Sequence, residues 1–258
     1  MADLSRDGVR IHYQLTGGSD GPGGTGGALP VLLSHGFGET SRMWRPNLAA
    51  LADGRPVISW DMRGHGRSGS PAELSEYTQD ACVADMAALL DACGARRAVV
   101  GGLSLGGYLS LAFWLAHPDR VAALMLFDTG PGFRSDEARQ RWNERALKTA
   151  ARLERDGLPA DSAHSSAAGL ALAARGMLTQ QDGRVMAALP AIDVPVLVLV
   201  GGEDEAFLGA ADYVAAKIPR ATKVVIPGAG HLANADQPAA FDQAVLAFLA
   251  ALDGVAAA

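Results

Sequence analysis

The sequence predicts an α/β fold in which a mostly parallel sheet lies between helices, with a helical insertion past its middle. Three observations carry this expectation. Short β-branched or leucine-rich runs alternate with alanine-rich amphipathic segments, the pattern of a parallel sheet covered by helices. Most of the apolar runs are nearly continuous, as strands buried on both faces are. The 258 residues, 49% of them hydrophobic, suffice for one sizeable core that need not divide.

Residues 9–15 (V-R-I-H-Y-Q-L) alternate between apolar and polar, which predicts an antiparallel edge strand with one wet face. Further strands are expected at 31–34, 57–61, 98–103, 121–127, 194–200 and 223–226. Helices are expected at 78–92, 104–116 and 238–252, where apolar residues recur at three- and four-residue spacing. Residues 130–190 break the alternation. They contain two or three helical patterns, opening at 135–155, and no strand. The expected division is therefore a core of 1–129 and 191–258 with a helical cap, or lid, of 130–190 that shapes a substrate pocket.

The net charge of −6 supplies no basic stripe for nucleic acid or an anionic membrane surface, which leaves a small molecule as the expected partner. The longest strongly apolar run, 194–200, is far short of the ~20 residues that cross a bilayer. Residues 1–10 carry charges and lack the apolar core of a signal peptide, so a cytoplasmic location is expected. Cys82 and Cys93 fall on one predicted helix at a separation of roughly 16 Å, beyond disulfide reach, and have no zinc-site spacing. Gly21, Gly23 and Gly26 satisfy G-x-G-x-x-G, but they precede a strand. A dinucleotide site follows a strand and opens a helix.

The strongest chemical signal is G-L-S-L-G at 102–106, between an apolar strand pattern and a helical one. A nucleophile elbow needs that context, because a sharp strand-to-helix turn lifts the serine clear of the sheet and requires small residues two positions away on each side. Gly102 and Gly106 meet the requirement, and the helix amino terminus favours developing negative charge at Ser104. The bland alternative is a turn with a capping serine.

A nucleophilic serine needs a base. Of the six histidines, His12 falls in a strand, His35 at a strand end, His65 in a loop, His117 at a helix end and His164 in the cap. His231 sits in P-G-A-G-H-L, between the last strand and the last helix, at the sheet edge where parallel-sheet sites assemble. Residues 201–205, G-G-E-D-E, offer Glu203, Asp204 and Glu205 as the acid that orients the imidazole. The order Ser104, Asp204, His231 is that of a known serine–acid–histidine triad. Asp128 ends an earlier strand at the same edge and is the rival acid, or else stabilises the turn into the cap through its side-chain acceptors. The backbone N–H groups of Phe37, in S-H-G-F-G, and of Leu105 are the candidate oxyanion donors. His35 is expected to brace that loop through its ring. Phe133, Trp142 and Met177 in the cap are candidates for a pocket wall.

With these residues in place, the chain resembles the α/β-hydrolase superfamily, in the branch of small esterases, lactonases and epoxide hydrolases. The resemblance spans H-G-F-G (35–38), D-M-R-G-H-G-R-S (61–68), G-L-S-L-G (102–106), H-P-D-R-V (117–121), V-P-V-L-V-L-V-G-G-E-D (194–204) and G-A-G-H (228–231). It implies an eight-stranded, mostly parallel sheet with a helical cap after strand six, and no metal or organic cofactor. It also implies a catalytic triad of Ser104, Asp204 and His231. Epoxide hydrolases and haloalkane dehalogenases of this architecture carry aspartate where Ser104 stands, so serine implies acyl transfer. The expected activity is hydrolysis of small to medium carboxylic esters through an acyl-enzyme. A lactonase, a carbon–carbon bond hydrolase and a ligand receptor on the same fold are the alternatives. The oligomeric state is not legible.

Overall fold

The computed structural model describes residues 1–18 and 28–256. The run holding Gly21, Gly23 and Gly26 lies outside the described residues. Eight strands form one sheet: β1 (Ala2–Arg6), β2 (Val9–Thr16), β3 (Val31–Ser34), β4 (Val57–Trp60), β5 (Ala98–Leu103), β6 (Val121–Phe127), β7 (Val196–Gly201) and β8 (Ala221–Ile226), in the order β1-β2-β4-β3-β5-β6-β7-β8. β1 and β2 are antiparallel to their neighbours, and the other pairs are parallel.

The structure adds β1 to the strands read from the sequence, and several boundaries move by a residue or two. β2 is not an edge strand, because β1 covers its outer side through an Asp7-Gly8 turn in which both residues have positive φ (50° and 80°). That Asp-Gly pair is the favoured two-residue hairpin signal. β7 begins at Val196 and not at Val194, since Pro195 has no N–H to give the ladder. β8 begins two residues early, at Ala221, and forms the exposed edge.

The helices are α1 (Arg45–Leu51), α2 (Gln79–Ala92), α3 (Leu105–Ala116), α4 (Asp136–Asp156), α5 (Ala167–Gly176), α6 (Arg184–Ala188), α7 (Glu205–Lys217), α8 (Ala233–Asp236) and α9 (Pro238–Ala256). Alternate strand residues feed the two faces of the sheet. Leu32, Val100, Leu124, Leu126 and Val198 pack with Met86 and Leu89 of α2, Leu109 and Phe113 of α3 and Val214 of α7. Val31, Leu33, Val99, Met125 and Leu197 pack with Leu51 of α1 and Phe241 and Val245 of α9. The period-two alternation sorts each strand's side chains between two cores.

Helices α4, α5 and α6 lie between β6 and β7. The side chain of Ser135 caps α4 by accepting from the Ala138 N–H, and that of Ser166 caps α5 by accepting from Gly169. Asn143 on α4 exchanges two hydrogen bonds with the Gln180 backbone, at 2.8 and 2.9 Å. Cys82 and Cys93 are free and buried, and burial pushes the Cys82 thiol above the ordinary thiol range. Among the described residues no helix is long and apolar enough to cross a membrane.

Next to the site, one buried ion cluster fixes the loop after β4. Arg63 is fully buried and donates to Asp85 of α2 through Nε (2.6 Å) and Nη2 (2.9 Å). Arg6 of β1 also reaches Asp85, and Glu76 accepts from Arg63 Nη1 at 2.9 Å. Removing one member of such a pair strands the other charge in the interior. Asp85→Ala is expected to cost about 3–5 kcal/mol of stability, read as a lower urea midpoint than that of the parent protein.

Candidate active site

β5 runs straight into α3 through Ser104, whose φ of 56° and ψ of −116° are sparsely populated for a side-chain-bearing residue. The turn holds because its surroundings over-determine it. The Ser104 N–H donates to Phe127 O at 2.9 Å, and the Ser104 carbonyl accepts from Tyr108 N at 3.1 Å and from Thr129 Oγ1 at 2.6 Å. A Cβ on Gly106 would collide with the carbonyl oxygens of Ser34 and His35, and one on Gly102 would strike the Ser34 carbonyl and the backbone of Gly106. The Ser104 side chain makes no capping hydrogen bond, which disposes of the capping-serine alternative.

At the carboxyl end of β7, Asp204 is 7% exposed, whereas Glu203 and Glu205 are exposed. The difference arises from the chain path: Gly202 N donates to Ile226 O and Glu203 N to Ala229 O, both at 2.8 Å, drawing this corner against the loop after β8. Asp204 starts α7 without capping it. Its Oδ2 instead meets His231 Nδ1 at 2.7 Å. Phe207, one turn along α7, stacks on the His231 ring at 4.9 Å.

Asp128, at the end of β6, is fully buried with a positive φ of 45°. Among the described residues its side chain makes no hydrogen bond to the turn that leads into residues 130–190. Its Oδ1 accepts from the Gly201 N–H on the neighbouring strand at 2.7 Å. Burial above all, and then the adjacent Asp204, raise its carboxyl pKa to about 8 against the lowering effect of the Gly201 N–H. At neutral pH it is therefore a neutral acid beside Asp204 and not a second anion.

The loop after β3 is set by a ring. His35 Nε2 accepts from the Met62 N–H at 2.9 Å, so Nδ1 carries the proton and donates to Gly36 O at 2.7 Å. Burial holds the imidazole neutral by lowering its pKa to about 4. Glu39 N also donates to Gly36 O. In a trans peptide C=O and N–H point in opposite directions, so tying down the Gly36 carbonyl aims the Phe37 N–H the other way. By the same geometry the Ser104 carbonyl points along α3, and the Leu105 N–H points out of its start.

A cavity of about 340 Å³ opens over these elements. Ser104, Leu105, Phe133, Trp142 and Met177 all contribute to its wall; His231 and Phe37 do not. Phe133 and Trp142 lie 5.7 Å apart, and Trp142 Nε1 donates to Leu178 O at 2.8 Å. Met177 is otherwise packing, fully buried against Cys82. Gln79, Tyr108 and Phe207 also line the cavity and were not among the expected residues. Tyr108 lies four residues after Ser104 and Phe207 three after Asp204, so helical spacing from those two residues would have found them.

The model of the alpha/beta hydrolase fold matches residues 30–178. A thermophilic esterase from Thermogutta terrifontis superposes with a TM-score of 0.82 at 31% identity, over 97% of both chains. The enol-lactonase of Burkholderia xenovorans LB400 gives 0.79 at 27% identity, over 96% of this chain and all of that one. The 3-oxoadipate enol-lactonase 2 of Acinetobacter baylyi is 29% identical over 95% of both chains. The chain belongs to the alpha/beta hydrolase fold family and is a hydrolase.

Proposed function

We propose that the protein is a serine hydrolase of small to medium carboxylic esters, with Ser104 as nucleophile, His231 as general base and Asp204 as the orienting acid. The observation that carries this reading is the 2.7 Å contact of His231 Nδ1 with buried Asp204, at the same sheet edge as the strained Ser104 elbow. Asp204 stays ionised and accepts a hydrogen bond from the Nδ1–H, which leaves Nε2 free to take a proton from Ser104. The serine oxygen attacks the ester carbonyl, and the N–H groups of Phe37 and Leu105 receive the oxyanion. His231 then protonates the departing alcohol. Water repeats the cycle on the acyl-enzyme. Phe207 holds the ring from its face and favours the imidazolium that forms. No step asks for a metal or cofactor.

In this reading residues 130–190 are a cap that closes the cavity over a core of 1–129 and 191–258. The cavity's mostly aromatic and aliphatic wall suits an acyl chain. A lactone is the same chemistry with the leaving alcohol still tethered, and the two enol-lactonases similar to the chain along almost its whole length keep it as the second reading. Turnover of graded p-nitrophenyl esters beside lactones tests both, and no turnover of either class refutes the proposal.

Because Phe133 and Trp142 form the cap side of the cavity, Phe133→Ala and Trp142→Ala are expected to shift chain-length preference. Acetate turnover should change by less than about threefold, while longer esters lose or gain more, since a methylene in an apolar pocket is worth about 1–3 kcal/mol. Equal losses across the series would make these rings packing residues.

A further inference from the structure

A second cleft, away from the elbow, has a volume of about 490 Å³ and is lined by Arg10 of β2, Arg42, Arg67 and the cap loop Ser162–Ser165, with His12 and Asp3 in its floor. Asp3 is its one carboxylate, and it is engaged by His12 Nδ1 at 2.7 Å. None of the three arginines has a carboxylate partner among the described residues. Arg10 donates to the Arg67 carbonyl at 2.8 Å, and the Arg67 guanidinium donates to the Met1 sulfur. Nine of the sixteen other arginines have such a partner: Arg6, Arg55, Arg63, Arg120, Arg139, Arg141, Arg155, Arg175 and Arg184 are ion-paired.

Three like charges around one concavity, on a chain of net charge −6, repel one another until an anion joins them. The rim is also held in place. His164 accepts from the Gly66 N–H at 3.0 Å through Nδ1 and donates through Nε2 to Gly38 O at 2.9 Å, pinning the cap loop to the loops after β3 and β4. Asp61 holds the same two loops together by accepting from Ser41 N and Arg67 N. The arginines are thus mounted on braced backbone, beside two serine hydroxyls that can donate.

We propose that this cleft binds a phosphate-type dianion, at a site separate from the ester cavity. Three planar guanidinium forks and two hydroxyls supply more donors than the two oxygens of one carboxylate can use, and they match a tetrahedral oxyanion. The oxyanion bridges the β2 and β4 side of the core to the cap loop.

The test is calorimetric titration of the intact protein with inorganic phosphate and with glycerol phosphate, against sodium chloride of equal ionic strength. Binding in the millimolar range and a rise in Tm of about 2–4 °C at saturation are expected. The Arg42→Gln/Arg67→Gln variant should bind about tenfold more weakly or worse. Arg141→Gln, which removes an exposed arginine elsewhere, should bind as the parent does. Arg42→Gln alone, at an exposed side chain without partners, provides a second variant that keeps its fold. If glycerol phosphate binds more tightly, the natural ligand carries its phosphate on a larger molecule, and if inorganic phosphate does, the free ion is the ligand. No effect beyond that of chloride at about 20 mM, or unchanged affinity in the double variant, overturns the proposal.

Discussion

Ser104→Ala is expected to abolish ester turnover and labelling by a fluorophosphonate probe while the Tm stays at or above that of the parent. Under the proposed mechanism, removing Ser104 alone disables a unit whose members act together, at a cost on the order of 10⁶-fold in kcat. The fold should tolerate the change, because the Ser104 side chain caps nothing and its backbone hydrogen bonds do not involve Oγ. Parent-level activity in this variant would end the serine-hydrolase reading.

The second large effect separates the two buried aspartates. Asp204→Asn should lower kcat by about 10⁴-fold, since an amide no longer fixes the histidine tautomer. Asp128→Asn should leave kcat within about tenfold, because it replaces one neutral group with another and keeps an oxygen for the Gly201 N–H. Stability then carries a distinct signature. Asp128 holds its proton in the folded chain up to about pH 8, whereas the unfolded chain loses it near the ordinary value of 3.8. The folded state binds the extra proton between these limits, so this group makes stability fall as pH rises across that window. Asp128→Asn should flatten the slope and stabilise the protein at neutral pH. Collapse of kcat in the Asp128 variant, with near-normal kcat in the Asp204 variant, would reverse the assignment.

Seven of the strands and the elbow were legible because they rest on local pattern: apolar or alternating runs of strand length, and glycines flanking a serine between a strand and a helix. β1 was missed although its Asp7-Gly8 turn was in plain view, because Ala2–Arg6 carries only one large apolar residue to mark a strand. The distinction among Glu203, Asp204 and Glu205 was not legible from the cluster itself. It depends on the loop after β8 crossing beside β7, a long-range contact that buries one acid and leaves two in water. The neutrality of Asp128 was invisible for the same reason, since a carboxyl's charge follows from burial and neighbours and not from its place in the chain. Spacing from Asp204 could have brought Phe207 to the cavity, but not its stacking on His231, since that ring arrives from the loop after β8.

The Phe37 ring packs into a small cluster with Ala150 and Leu153 of α4 and Ala171 and Ala174 of α5, while its backbone N–H belongs to the loop braced by His35. One residue thus has its side chain in the insertion and its amide in the sheet edge. For protein engineering this makes the insertion a poor interchangeable module. Transplanting a foreign insertion to gain a new specificity would remove the socket of Phe37 and loosen the amide that the proposed mechanism assigns to the oxyanion. Chimeras that retain Ala150, Ala171 and Ala174 should therefore outperform those cut at the strand ends, even when both offer the same pocket.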